Sequence, residues 1–202
     1  GGRIRPDEPW THRETLMDGE VLDPAPGVVV MLHKPIGYVC SSKDVPPLVY
    51  ELLPQRFARR SPVIAPVGRL DRDTSGLLLL TDDGALNHRL TSPRAHLPRT
   101  YRATLATALR GDEREQFAGG DLRLHGETTP LAPAMMTEHD PQTVDLIVTE
   151  GRYHQVRRMF AAMGNHVVTL ERIAIGSLGL GALEPGAWRL ISEDECGLLV
   201  PG

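Results

Sequence analysis

Residues 68–84 read GRLDRDTSGLLLLTDDG, and the stretch changes character at its middle. Its first half is polar and carries a carboxylate, Asp71, two residues after Arg69. Its second half is a run of four leucines. By length and composition, residues 77–80 form a buried strand. Thr74, Ser75 and Gly76 make a tight turn leading into it. Gly68 and Gly76 mark places where the backbone bends or approaches another segment closely. Asp71 therefore sits on a loop anchored by a core strand, a usual place for a functional side chain.

Two local readings compete. Asp71, Asp73, Ser75, Gly76 and Asp82 fall at positions 1, 3, 5, 6 and 12 of an EF-hand calcium loop. The flanks oppose that reading. An EF-hand needs a helix on each side, yet Pro62 and Pro66 interrupt the segment before it, and four leucines occupy positions 7 to 10. The other reading is a surface turn whose aspartates only bond backbone.

Composition narrows the class. At 202 residues the chain can bury a core within one domain. No signal peptide and no long apolar segment are visible, so a cytoplasmic protein is expected. Cys40 and Cys196 form no C-x-x-C pair, and the histidines lack ligand spacing, so neither a disulfide framework nor a metal site is expected. The net charge of −4 is unusual for a nucleic-acid binder, but the charge is unevenly spread. Residues 84–111 hold Arg89, Arg94, Arg99, Arg102 and Arg110 with no acid, and residues 151–170 hold Arg152, Arg157 and Arg158 with no acid. A fold that joins these stretches would have a positive face on an acidic body.

Residues 1–27, rich in Pro, Gly and acids, read as an extended tail, and residues 28–202 as one domain. Strands are expected at residues 28–32, 77–80, 101–105, 144–148, 167–170, 172–175 and 187–191. Short helices are expected at residues 47–53, after Asp83 to about residue 90, at 112–118 capped by Asp112, at 153–163 with Val156, Met159, Phe160 and Met163 inward, and after a Ser192–Glu195 capping box. Strands outnumber helices without alternating strictly with them. That pattern predicts an α+β fold with a large, mostly antiparallel mixed sheet, in two lobes about a cleft.

Four ordered stretches resemble the pseudouridine synthase family: His33-Lys34-Pro35-Ile36-Gly37-Tyr38-Val39, Gly68-Arg69-Leu70-Asp71 with Thr74-Ser75-Gly76, Arg99-Thr100-Tyr101, and the basic stretch from Glu150 to Met159. The last is most similar to the branch that modifies ribosomal RNA, in particular to enzymes of small-subunit 16S RNA. The resemblance implies isomerisation of uridine to pseudouridine with no cofactor and no metal. It implies that Asp71 is the catalytic carboxylate, as nucleophile or as base. It also implies that Arg157 keeps Asp71 ionised, that Tyr101 stacks on the flipped uracil, and that Ile147 or Leu146 forms an apolar wall. Arg69 would fill the vacated space or hold phosphate once the uridine is flipped out. Lys34 would support the active-site loop or meet phosphate, and Arg158, Arg152 and Arg99 would bind RNA. His154 and Gln155 would organise the basic stretch. Met17-Asp18-Gly19-Glu20-Val21 resembles the end of an S4-type RNA-binding module, which makes the tail its remnant.

The expected partner is 16S RNA, alone or in a pre-ribosomal particle, met by a monomer. Alternatives are a synthase of 23S RNA or tRNA, and a non-catalytic RNA-binding or ribosome-assembly factor that kept the fold.

Overall fold

A computed structural model describes residues 16–17, 20–21, 24–41, 44–58 and 60–199. The short strands β1 (Leu16–Met17) and β2 (Glu20–Val21) pair with each other, and the rest of the tail before residue 24 lies outside the described residues. There follow β3 (Val29–Lys34), α1 (Gln55–Ala58), β4 (Ala65–Pro66), β5 (Ser75–Thr81), α2 (Gly84–Thr91), β6 (Arg99–Leu105), α3 (Glu113–Gly119), β7 (Met135–Asp140), β8 (Thr143–Val148), α4 (Gln155–Ala162), β9 (Val167–Ile175), β10 (Leu178–Gly179), β11 (Trp188–Leu190) and α5 (Glu193–Gly197). Nine strands form one sheet in the order β11-β3-β5-β9-β6-β8-β7, with β4 on β5 and β10 on β9. Only β5 and β9 pair in parallel. This is the mixed, mostly antiparallel α+β sheet that the pattern predicts. Among the described residues no helix is long and apolar enough to cross a membrane.

The sheet has two halves with different burial. In the first, Val29, Met31, Leu77 and Leu79 pack on one face with Leu86 and Leu90 of α2. Val30, Leu32, Leu78 and Leu80 pack on the other with Phe57 and Ile64. Burial on both faces is why residues 77–80 are an unbroken apolar run. In the second half Ala103, Leu105, Val144, Leu146 and Val148 face Phe117 of α3 and Val156, Met159 and Phe160 of α4. Its opposite face carries Arg102, paired with Asp145 at 2.8 Å, so these strands alternate. Phe117 meets Phe160 edge to face with centroids 5.2 Å apart, joining α3 to α4. Such a pair contributes about 0.5–1.5 kcal/mol beyond its buried area.

The halves are joined along β5 and β9 by two residue pairs, Ser75 with Glu171 and Gly76 with Arg172. Further along, β4 takes the place beside β5 and β10 the place beside β9. Gly76 makes the junction possible. A Cβ there would stand 2.3 Å from the Arg172 carbonyl oxygen, and its φ of +107° is one that side chains disfavour.

Local expectations hold where one signal dominates. The Asp83 carboxylate accepts from the N–H groups of Ala85 and Leu86 at 2.9 Å, starting α2. Gly164, at φ 78°, follows α4, and Ser192 and Glu195 form their capping box. Other expectations are corrected. Residues 47–53 supply only a 3-10 turn over Val49–Leu52, because Pro47 and Pro54 bracket too short a segment. Asp112 does not cap α3. Its carboxylate turns back to Arg110 at 2.8 Å, and Glu113 instead accepts from the N–H groups of Arg110 and Gly111. The strands expected at residues 167–170 and 172–175 are one strand, because Glu171 pairs with Ser75. β7 escapes the pattern since it is an edge strand with one buried side chain, Met136.

Replacing Gly76 by Ala is expected to destabilise the fold by about 2–4 kcal/mol, through strain and crowding at the junction. Gly84→Ala meets nothing within 4 Å and needs no unusual φ, so it is expected to stabilise by about 0.4–1 kcal/mol. Urea midpoints measure both, and an unchanged midpoint for Gly76→Ala would contradict the junction's role.

Candidate active site

A cleft of about 510 Å³ opens at the β5–β9 junction. Its walls are the loop before β5 (Gly68 to Thr74), the start of β6 (Arg99, Tyr101), β9 (Leu170, Arg172) and the segment entering α4 (Thr149 to Val156). Asp71 stands on the first wall, half-buried, in a turn closed by the Thr74 N–H donating to the Asp71 carbonyl at 3.1 Å. The end of β3 holds this turn from beneath. The Lys34 ammonium donates to the Thr74 carbonyl at 2.8 Å and the Pro35 carbonyl at 3.1 Å. The Gly37 N–H donates to the Arg72 carbonyl at 2.7 Å.

Lys34 is completely buried. Burial pushes its ammonium below the ordinary lysine range, the Cys40, Asp71 and Asp73 side chains oppose that, and Arg172 adds to it. Lys34, Asp71 and Arg172 thus share one electrostatic neighbourhood. Arg172 is itself 2 % exposed. Its Nε donates to the Leu77 carbonyl at 2.8 Å, and its Nη2 has no partner among the described residues. A bulge between Thr100 and Tyr101 sets Tyr101 opposite Arg172 across the β6–β9 ladder. The half-buried Tyr101 ring therefore shares the cleft wall with the buried guanidinium. From the far wall, His154 Nε2 reaches to 3.5 Å from Asp71 Oδ1. Apolar surface comes from Leu70, Val148, Val156 and Leu170. A carboxylate, a buried cation and an aromatic ring around a partly apolar cleft suit chemistry on a planar base and its sugar.

The family model described as RNA pseudouridylate synthase matches residues 28–162. The chain belongs to the pseudouridine synthase family. It is 48% identical over 172 residues to the ribosomal small subunit pseudouridine synthase A of Escherichia coli strain K12, covering 84% of this chain and 73% of that one. It is 44% identical over 185 residues to the protein of that name from Pasteurella multocida strain Pm70, covering 90% and 78%. A crystal structure of a pseudouridylate synthase superposes with a TM-score of 0.81 at 44% identity, over 86% of this chain and 74% of that one. The archaeal box H/ACA Nop10–Cbf5 complex, at 17% identity and a TM-score of 0.50 over 88% and 55%, shares the fold alone.

Against the expectations for a pseudouridine synthase, the structure brings Asp71, Tyr101, Arg69 and Arg99 to one cleft and redirects other residues. Arg157 does not meet Asp71. From the first turn of α4 it donates to the Val167 and Asp73 carbonyls at 2.9 Å and pairs with the Asp73 carboxylate at 3.1 Å. It is a positioning residue for the turn after Asp71, and the cation buried in the cleft is Arg172. Arg172 sits unannounced in a β-branched strand; its one signal was a lone arginine within VVTLERIAI. Lys34 cannot meet phosphate, because it is sealed beneath the loop. Arg152 and Arg158 both pair with Glu127, the latter at 2.6 Å, so neither is an unpaired phosphate contact. Leu146 is buried in the second core, and Val148, not Ile147, supplies the apolar wall from β8. Gln155 accepts from the Arg152 N–H and donates to Glu150, organising its segment. The carboxylates at calcium-loop positions are engaged elsewhere, Asp73 with Arg157 and Asp82 with Arg60.

The positive face is correspondingly smaller than the arginine count suggests. Arg102 and Arg110 pair with Asp145 and Asp112. Arg69, exposed on the cleft, has no hydrogen-bond or ion-pair partner among the described residues. Arg99 has only 3.5 Å contacts to the Leu90 and Leu97 carbonyls. Arg69→Ala is expected to reduce the slope of log affinity for RNA against log salt by about one. Lys34→Met is expected to leave that slope unchanged while lowering turnover through the released loop. A changed slope for Lys34→Met in filter-binding titrations would place the ammonium at the RNA surface.

Proposed function

We propose that this enzyme converts a specific uridine of 16S ribosomal RNA to pseudouridine, with Asp71 as the catalytic carboxylate. The observation that carries the reading is the convergence of Asp71, Tyr101 and the buried, incompletely paired Arg172 on one cleft. The names of the curated relatives support the small ribosomal subunit as the source of substrate. Residues 28–202 act as the catalytic domain, as a monomer in the cytoplasm, on RNA presented free or in a partly assembled particle.

The target uridine must leave its stack, at a cost of a few kcal/mol. Arg69, at the cleft mouth, occupies the space it vacates or holds its phosphate, and Arg99 takes a neighbouring phosphate. Asp71 attacks C1′ or removes a ribose proton, and the C1′–N1 bond breaks. Uracil turns against the Tyr101 ring and bonds to C1′ through C5, as the Asp71–C1′ ester breaks or, on the base route, as Asp71 returns the ribose proton. C5 loses its proton, N1 gains one, and the product is an isomer of the substrate. No group is imported and nothing is oxidised, so no cofactor is called for. Arg172 supplies a buried cation to the same cleft, and Lys34 and Arg157 hold the turn that carries Asp71.

Release of tritium from 5-[³H]uridine-labelled 16S RNA, free and with ribosomal proteins, reports the bond to C5 directly. Wild type is expected to release it. Asp71→Asn is expected to release none while still binding RNA, and Arg172→Lys to lose about 100-fold or more. Loss of both binding and release in Asp71→Asn would make Asp71 structural. Release confined to 23S RNA or tRNA would overturn the assignment of substrate.

A further inference from the structure

We propose that Tyr153 is a second stacking platform, which receives the unpaired RNA base next to the target uridine and, through His154 beneath it, connects that contact to Asp71. The inference rests on the function proposed above and adds a second nucleotide to its site.

Tyr153 is 73 % exposed. The chain has four tyrosines, three phenylalanines and two tryptophans, and Phe57, Phe117, Phe160, Tyr38, Tyr50 and Trp188 pack into or against the cores. A single exposed ring is ordinary. This one lines the cleft and lies flat on the His154 ring, with centroids 3.9 Å apart and planes 16° apart. One face is thus occupied by imidazole, and its exposure leaves the other for a ligand. His154 in turn stands 3.5 Å from the Asp71 carboxylate. Tyr101 lies deeper, beside Arg172, where the reacting base belongs. Two rings at two depths fit two successive bases.

The backbone fixes the platform. His154 has φ 48° and ψ 35°, left-handed values that a non-glycine residue holds only when its surroundings impose them. Here they do. Arg158 donates through its backbone N–H to the His154 carbonyl at 2.9 Å and through Nη1 to the Tyr153 carbonyl at 3.2 Å. Glu127 anchors both Arg158 and Arg152. A ring already held in place loses little freedom when a base stacks on it.

Charge assigns the rim to bases rather than phosphates. The arginines around Tyr153 are neutralised by Glu127 and Glu150. Elsewhere on the cleft wall, Arg69 and Arg99 have no acid partner among the described residues. The backbone is drawn there, and bases turn toward the neutral rim and its ring.

The test uses a 16S RNA stem-loop carrying the mapped uridine, with 2-aminopurine at either neighbouring position. Bound to Asp71→Asn protein, so that nothing reacts, the probe at one neighbour is expected to emit less with Tyr153 or Tyr153→Phe than with Tyr153→Leu. In the reactive protein, Tyr153→Leu is expected to lower kcat/KM about 5–150-fold, mostly through KM, with an unchanged melting midpoint, and Tyr153→Phe to restore it. Equal emission from all three at both neighbours, or wild-type kcat/KM in Tyr153→Leu, overturns the inference while tritium release by wild type leaves the proposed function intact. Absence of release by wild type from any RNA takes both down.

Discussion

Everything in the site depends on how closely β5 approaches β9. Two residue pairs join the two halves of the sheet, and one of them sets Gly76 against the Arg172 backbone. Asp71 lies five residues before Gly76, on the loop that leads into β5, so the junction sets the carboxylate and Arg172 in the walls of one cleft. The β6 bulge then places Tyr101 opposite Arg172. A one-residue slip of β9 would turn Arg172 away and put Glu171 or Ile173 in its place, because strand side chains alternate. The two-sided core beneath residues 77–80 opposes any such slip on the β5 side. Packing therefore specifies the chemistry's geometry at a distance.

The arginines divide into those that build the protein and those left for a polyanion. Arg60, Arg102, Arg110, Arg152, Arg157, Arg158 and Arg189 each have a carboxylate partner. Apart from the buried Arg60–Asp82 pair, these pairs are at least partly exposed and contribute little stability individually. Their effect is positional: Arg157 fixes the turn after Asp71, and Arg152 with Arg158 fixes the rim. The net charge of −4 is then no obstacle to RNA binding, because attraction requires only a local excess at the cleft mouth.

The fold was legible where periodicity and local chemistry agreed. The leucine run, the Asp83 cap, the inward face of α4 and the final capping box all have short-range causes, and the structure contains each. β7 was hidden because an edge strand with polar side chains on most positions has no period to read. Asp112 was misread because a cap competes with any nearby cation, and Arg110 lies two residues away. At the site, residues that act from a loop were readable as a motif. Arg172 was not, since its role comes from strand pairing across about a hundred residues. Arg157 illustrates the same limit: whether it met Asp71 or Asp73 depended on the loop's path.

The cleft also breaks rules that most of the core obeys. Thr74 Oγ1 and Arg172 Nη2 are buried without a partner among the described residues, and both residues line it. Each such group costs stability that an apolar side chain of similar shape would not. His154 adds a left-handed backbone in the same place. Other buried polar groups are satisfied, as Asp82 is by Arg60 and the Gly27 N–H, and Glu113 by two backbone N–H groups, while Arg157 Nε on α4 is also buried without a partner among the described residues. Sequences tend to violate local consistency at functional sites and compensate around them. Here Thr74, Arg172 and His154 put three of the violations in the walls of one cleft, with Arg157 on the adjoining helix and the left-handed His96 outside it. A scaffold that only bound RNA would gain from replacing a buried, incompletely paired arginine by leucine; an enzyme that needs a cation in the wall of its cleft would not.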